Sequence, residues 1–169
     1  MVNVIMHGCN GHMGRVVTEL IEKDENVQIV AGIDAYTGVQ NEYPVFPSIK
    51  ECTVKADVII DFSNPASLDD ILAYALEKKI PCVLCTTGYS PEQVEKIKKA
   101  SESVAVFYSG NMSLGINLLI ELSKEAAKIL SAADFDIEIV EKHHNQKIDA
   151  PSGTALMIAD GISDTLAEE

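Results

Sequence analysis

The alternation of short apolar runs with helical segments between Val2 and Tyr108 constrains the fold most strongly. Apolar runs of strand length cover residues 2–7, 27–33, 57–62, 83–86 and 104–108, and helical spacing of apolar residues covers 15–23, 65–79 and 91–101. Strands separated by helices form right-handed βαβ units around a parallel sheet. The sequence therefore predicts an α/β fold with a Rossmann-type doubly wound parallel sheet, which forms a nucleotide-type domain over residues 1–112.

This alternation ends after Gly110. The pattern then predicts a long helix over 114–130, an apolar strand over 136–141, and a polar loop that leads into a helix running nearly to Glu169. A single strand cannot satisfy its own edges, so this one must pair with another chain or stay exposed.

The charge balance restricts the partners of the chain. Lys and Arg total 13 against 26 Asp and Glu, which gives a formal net charge of −13. Such a surface repels phosphate backbones and anionic lipids, so we expect no nucleic-acid or membrane partner. No apolar run approaches the ~18 residues of a membrane span, and the N-terminal residues lack an export pattern. With four cysteines expected to be reduced thiols, these features predict a cytoplasmic protein.

A glycine-rich turn joins the first predicted strand to the first helix. Gly8, Gly11 and Gly14 are spaced G-x-x-G-x-x-G, which allows a tight turn and close approach of a pyrophosphate to helix-start amides. A purely structural turn is the alternative interpretation. Asp34, at the end of the second strand, is placed to accept hydrogen bonds from an adenine ribose and favours a dinucleotide. Because Asp34 repels a 2′-phosphate and Ala35 supplies no cation, we expect NADH over NADPH.

A cluster of basic and protonatable residues precedes the last predicted helix. Lys142, His143, His144 and Lys147 lie within six residues, directly before Pro151 and a helix start. Helix-start amides and a lysine can bind a carboxylate or phosphate, and a histidine can donate a proton near neutral pH. The alternative is a solvated polar loop capped by a serine. Adjacent histidines without a third ligand at suitable spacing rarely complete a metal site, so we expect no metal.

The segment from Glu141 to Ala155 resembles a family signature. It matches E-x-H-H-x-x-K-x-D-A-P-S-G-T-A of the 4-hydroxy-tetrahydrodipicolinate reductases (dihydrodipicolinate reductases). The glycine turn, Thr86-Thr87-Gly88 and the stretch 109–117 support the resemblance, which covers the whole chain. It implies NAD(P)H-dependent reduction of 4-hydroxy-tetrahydrodipicolinate, a small dicarboxylate, to tetrahydrodipicolinate in the diaminopimelate route of lysine biosynthesis. It also implies a homo-oligomer, a tetramer in this family. By the same resemblance, residues 113–169 are the first part of an incomplete α+β substrate-binding and oligomerisation domain, truncated at its C-terminal end.

The resemblance also implies roles for individual residues. His143 corresponds to the general acid or base and Lys147 to the second proton donor, while His144, Gly153 and Thr154 fall on substrate-binding positions. The cofactor-binding positions are Gly8, Cys9, Asn10, Gly11, His12, Met13, Asp34, Cys85, Thr86, Thr87, Ser109, Gly110, Asn111 and Met112. The chain departs from the usual pattern at Cys85, where glycine is common, and at Ser109-Gly110, which replaces a more apolar pair.

Other patterns are given structural interpretations. Cys82 and Cys85 are expected to be buried or backbone-contact thiols, since residues three apart in a strand point to opposite faces. Asp57 and Asp61 are interpreted as strand ends, and Tyr74 with Lys78 as surface residues. Two further hypotheses remain open: a dinucleotide-binding module without turnover, and a structural or interaction fragment that binds no cofactor.

Overall fold

The computed structural model describes residues 1–143, 145 and 150–167. The chain divides into two compact units, Met1–Ser109 and Gly110–Glu169. We refer to them as the first and second units and describe each by itself.

The first unit is built on a six-stranded parallel sheet. Its strands are β1 (Val2–His7), β2 (Val27–Ile33), β3 (Val45–Phe46), β4 (Val58–Asp61), β5 (Cys82–Leu84) and β6 (Val106–Tyr108). They are ordered β3-β2-β1-β4-β5-β6, so the direction of winding reverses between β1 and β4. This order confirms the predicted doubly wound fold, in which ligands bind beyond the carboxyl ends of the strands at the reversal point.

Three helices connect the strands of the sheet: α1 (His12–Ile21), α2 (Leu68–Lys78) and α3 (Pro91–Ser101). Right-handed crossovers place α1 on one face of the sheet and α2 and α3 on the other. The start of α3 follows from local sequence: Ser90 accepts a hydrogen bond from the Gln93 amide, the Gln93 side chain accepts one from the Ser90 amide, and Pro91 occupies the first turn.

Strand residues and helix residues meet in one apolar core. Ile5, Ile59 and Leu84 from neighbouring strands are fully buried, and Leu68 and Ile71 of α2 pack in the same cluster. Tyr74, interpreted from sequence as a surface residue, is also buried there. Its hydroxyl donates to the Cys52 carbonyl at 3.3 Å, so the segment around Cys52 covers a side of α2 that periodicity alone predicts to be exposed.

The segment between β2 and β4 is more ordered than the sequence predicts. We expected a loop, but Val45 and Phe46 form the short edge strand β3 beside Gly32 and Ile33. Ser48 then caps a 3-10 helix at Ile49–Glu51 by accepting from the Lys50 amide. A two-residue strand is too short to produce a periodic pattern, which explains why it was missed.

The described residues of the second unit form two helices, α4 (Leu114–Ser131) and α5 (Gly153–Ala167). The backbone of Gly161 comes close to α4, because a Cβ atom there would lie 3.1 Å from Ile120 Cγ2. The predicted strand over 136–141 is wrong: these residues have no regular secondary structure. A strand requires a hydrogen-bonded neighbour, and none of the described residues pairs with this segment. Ile137, Ile139 and Val140 are consequently exposed.

Within the described part of the chain, no helix has both the length and the apolar composition needed to cross a membrane.

Candidate functional site

The turn after β1 requires glycine at two positions. Gly8 has φ +80°, and a Cβ atom there would lie 2.6 Å from the Phe62 carbonyl oxygen. A Cβ atom on Gly14 would collide with the Gly8 carbonyl oxygen and the Cys9 backbone. The first glycine therefore permits the left-handed turn, and the last permits α1 to pack against it. The turn is as tight as a dinucleotide loop must be.

The start of α1 suits an anionic ligand. Gly11 is the N-cap residue, and α1 has neither a side-chain cap nor an acidic residue in its first turn. The first amides of a helix lack intrahelical partners and carry the positive end of the helix dipole. His12 and Met13, which begin the helix, are exposed. This helix start can therefore accept a pyrophosphate.

Asp34 lies at the edge of the same site. Its Oδ2 accepts from the Asn10 amide at 2.9 Å and its Oδ1 from the Tyr36 amide at 2.9 Å. Each carboxylate oxygen keeps a further lone pair, so Asp34 can still accept ribose hydroxyls. Gly8, Gly11 and Asp34 line one cavity of about 360 Å³. The structure therefore brings these predicted cofactor residues together.

A second polar group lies beside this cavity and was missed by sequence reasoning. Asp61 is fully buried at the end of β4. Its Oδ1 is 2.9 Å from His7 Nδ1 and accepts from the Ser63 amide and hydroxyl. Its Oδ2 accepts from Thr86 Oγ1 at 2.7 Å and from the Tyr89 hydroxyl at 3.2 Å. We call these five residues the Asp61 cluster.

Burial alone would raise the pKa of Asp61, but hydrogen bonds from His7, Ser63 and Thr86 outweigh it and hold the pKa below the usual 3.8. Burial and then the Asp61 charge raise the pKa of Tyr89, which keeps its hydroxyl proton. The carboxylate is thus ionised and surrounded by donors, an arrangement that a simple strand end does not need.

The predicted cofactor residues after β5 differ in exposure. Cys85 and Thr86 are buried, and Thr87 is exposed. Burial, followed by the Asp61 charge, raises the pKa of Cys85 to about 11 and that of Cys82 to about 12. Burial and then Asp34 raise the pKa of Cys9 to about 11. The prediction of buried, structural thiols at Cys82 and Cys85 is therefore confirmed.

The remaining predicted cofactor residues follow β6. The Ser109 amide donates to the Leu84 carbonyl at 3.1 Å in the first unit. In the second unit, Asn111 Nδ2 donates to Thr154 Oγ1 at 2.8 Å, which joins a predicted cofactor residue to a predicted substrate residue. Gly110 and Met112 are exposed.

A carboxylate organises the start of α5. Glu141 Oε1 accepts from the Ser152 amide at 2.8 Å, its Oε2 accepts from the Ser152 hydroxyl, and Ser152 Oγ caps the Ala155 amide at 3.1 Å. Glu141 Oε2 also lies 3.5 Å from His143 Nδ1, an ion-pair distance when the ring is protonated. Glu141 thereby links His143 to the helix start that carries Gly153 and Thr154. His144 and Lys147 lie outside the described residues.

The residues that the structure describes include no group of three or more His, Cys, Asp or Glu side chains that could hold a metal ion.

Comparisons with known proteins show which family the chain matches. Residues 2–112 match the family described as dihydrodipicolinate reductase, N-terminus, and residues 115–169 match its C-terminus counterpart. The chain is 48% identical over 169 residues to a 4-hydroxy-tetrahydrodipicolinate reductase of Clostridium novyi, covering all of this chain and 67% of the relative. It is 50% identical to one from Caldanaerobacter subterraneus, covering 66% of that relative.

A solved structure has the same fold. Dipicolinate-bound dihydrodipicolinate reductase from Paenisporosarcina aligns with a TM-score of 0.74 and 30% identity over 98% of this chain and 66% of that one. A myo-inositol 2-dehydrogenase from Lactobacillus plantarum, at 17% identity and a TM-score of 0.54, shares the fold alone. The chain spans about two thirds of the length of the curated relatives it matches. It belongs to the 4-hydroxy-tetrahydrodipicolinate reductase family, whose members are NAD(P)H-dependent oxidoreductases acting on a dicarboxylate.

Proposed function

We propose that the chain carries the reductase activity of its family, the NAD(P)H-dependent reduction of 4-hydroxy-tetrahydrodipicolinate to tetrahydrodipicolinate in lysine biosynthesis. The observation that carries the proposal is the position of Asp34, whose Oδ2 is 2.9 Å from the Asn10 amide, on the cavity that Gly8 and Gly11 line. A ribose-binding carboxylate over a glycine turn is the pairing that a dinucleotide needs.

We propose that the cofactor-binding residues are those predicted from sequence. The Gly8–Gly14 turn and the α1 amides bind the pyrophosphate, and Asp34 binds the adenine ribose. The residues 85–87 and 109–112 contribute the remaining contacts. When bound, the reduced nicotinamide supplies the hydride.

The proposed proton donors are His143 and Lys147. His143 delivers a proton to the reduced ring, and Glu141 holds this histidine close to the start of α5. Lys147 attracts a substrate carboxylate and serves as the second donor. His144, Gly153 and Thr154 bind the substrate. Because Glu141 already occupies the Ser152 amide, the amides that remain for a carboxylate are those of Gly153 and Thr154.

We propose NADH as the preferred cofactor. The described residues that line the Asp34 cavity include two aspartates, Asp34 and Asp70, and no Lys or Arg. Asp70 is paired with Lys50 Nζ at 2.8 Å, so the charge that a 2′-phosphate would meet there is that of Asp34. We expect NADPH to bind about tenfold more weakly than NADH, measured as dissociation constants under the same conditions. Tighter binding of NADPH would contradict the assignment.

We propose a cytoplasmic homo-oligomer, with a small dicarboxylate substrate and no nucleic-acid or membrane partner. Four free, buried cysteines support a reducing compartment. The exposed apolar side chains of α4 support self-association. The family matches to residues 2–112 and 115–169 support a domain boundary near residue 112.

Substrate turnover separates the open hypotheses. The chain is mixed with NADH and freshly generated substrate, and nicotinamide absorbance is followed. Reductase activity predicts loss of absorbance, a binding module predicts binding without consumption, and a structural fragment predicts no binding in calorimetry.

Lys147→Ala tests the proton-donor assignment. We expect it to lower kcat/KM about 100-fold and to raise KM as well, because donor and carboxylate contact are lost together. Lys142→Ala, which removes a nearby exposed lysine, is the matched control and should stay within about twofold. Equal effects of the two substitutions would contradict the role of Lys147.

A further inference from the structure

The Asp61 cluster lies where the sheet reverses its winding. In the strand register, His7 of β1 pairs with Asp61 of β4, and Asp61 pairs with Leu84 of β5. These positions are the carboxyl ends of three adjacent strands, on both sides of the β1–β4 reversal point. Ligands of doubly wound sheets bind in the crevice beyond these ends. The cluster therefore lies directly under the expected cofactor.

Packing of the core does not require a charged, hydrogen-bonded cluster at this position. Asp61 is fully buried, and an apolar side chain of similar size would fill the same space without removing a charge from water. All partners of the carboxylate are donors. Because an ionised carboxylate only accepts, His7 Nδ1 is the donor in the 2.9 Å contact with Asp61 Oδ1. Asp61 thus sets the orientation of this imidazole.

The donors belong to the walls of the proposed cofactor site. His7 and Ser63 line the cavity that Asp34 also lines. Thr86, in the segment that follows β5, is only 4% exposed and directs its hydroxyl to Asp61. A cofactor can therefore meet this segment through its backbone or through exposed Thr87. The position of that backbone depends on the Asp61 contact.

We propose that Asp61 is a positioning residue for the nicotinamide half of the cofactor site, where it holds the His7 ring, the Ser63 turn and the Thr86 segment in their binding arrangement. The inference rests on the proposed function. The two halves of a dinucleotide lie on opposite sides of the reversal point. Asp34 follows β2 and marks the adenosine side, so the ends of β4 and β5 receive the nicotinamide side.

The test compares NADH with ADP-ribose, which lacks the nicotinamide. In Asp61→Asn the new side-chain amide group is a donor, and it faces His7, Ser63 and Thr86, which also donate. We expect the segments that carry these three residues to shift. We expect NADH binding to weaken about tenfold or more, with ADP-ribose binding changed less than about threefold. Asp57→Asn makes the same substitution at the exposed, opposite end of β4 and should leave both constants unchanged. A merely structural role would lower the melting temperature and leave the NADH to ADP-ribose ratio unchanged.

If Asp61→Asn does not fold, a second pair of variants tests the positioning role of Asp61 through its contact with Thr86. Thr86→Val removes the hydroxyl that contacts Asp61, and Thr86→Ser retains it. We expect Thr86→Val to weaken NADH binding selectively, and Thr86→Ser, which keeps the hydroxyl, to weaken it less than Thr86→Val does. An unchanged ratio in Thr86→Val, or in a folded Asp61→Asn, overturns the inference while wild-type NADH binding still supports the proposed function. Failure of the wild-type chain to bind either ligand refutes the proposed cofactor site, and the inference with it.

Discussion

The two units of the chain handle their apolar side chains differently. In the first unit, strand and helix residues such as Ile5, Ile59 and Leu84 are fully buried in one core. In the second, α4 leaves Leu114, Leu118 and Ile129 exposed by 85%, 58% and 71%. The first unit therefore completes its own core, whereas the described residues of the second unit leave an apolar face of α4 uncovered.

Truncating one apolar residue in each unit tests whether the two units differ in how much their apolar side chains contribute to stability. Ile59→Ala should lower the free energy of unfolding by about 3 kcal/mol, because it opens a cavity at a fully buried position. Leu118→Ala, on an exposed face of α4, should lower it by about 0.5 kcal/mol or less. Urea denaturation at low protein concentration measures both values. A comparable loss in Leu118→Ala would mean that this face is covered in solution.

A pair of glycine substitutions, one in each unit, compares how closely the backbone is packed at the two positions. Gly14→Ala places a Cβ against the Gly8 carbonyl and the Cys9 backbone, so we expect a loss of about 2 kcal/mol and impaired NADH binding. Gly153→Ala has no atom within 4 Å of the added Cβ and should change stability by less than about 0.5 kcal/mol. Thermal unfolding with and without NADH measures both effects. Equal destabilisation would show that the glycine turn can relax around a side chain.

The smallest effect concerns the pH dependence of the first unit. The pKa of Asp61 is lowered in the folded state, so the unfolded state binds more protons just below the ordinary value of 3.8. Stability from Asp61 is therefore complete above that pH and is lost as pH falls through the lowered pKa. In urea titrations across this acidic range, Asp61→Asn should show a shallower loss than the wild type. Asp57→Asn is the control, and an Asp61→Asn slope equal to the control's would contradict the assigned shift.

Local signals made much of the first unit predictable. The bounds of β1 and α3 agree with the sequence pattern, because an apolar run meets a glycine turn in one case and a serine–proline cap opens the other. The short strand β3 was missed, since two residues have no period. The strand predicted over 136–141 was wrong because alternating apolar residues do not supply the hydrogen-bonded neighbour that a strand needs.

The candidate site was predictable only where its parts are close in sequence. The glycine turn and Asp34 follow known spacing, and the structure places them on one cavity. Asp61 was interpreted as a strand end, because its partners His7 and Thr86 are 54 and 25 residues away along the chain. Only the strand register brings them together. An acidic residue closing an apolar strand next to the reversal point is the signal that could have found the cluster.

The distribution of thiols has a practical consequence. All four cysteines lie in the first unit, and each is buried. A thiol-specific reagent under native conditions can therefore react only when that unit opens, and it is blind to motion in the second. The rate of thiol modification in the unmodified chain therefore reports how often the first unit opens, and no label has to be introduced to measure it.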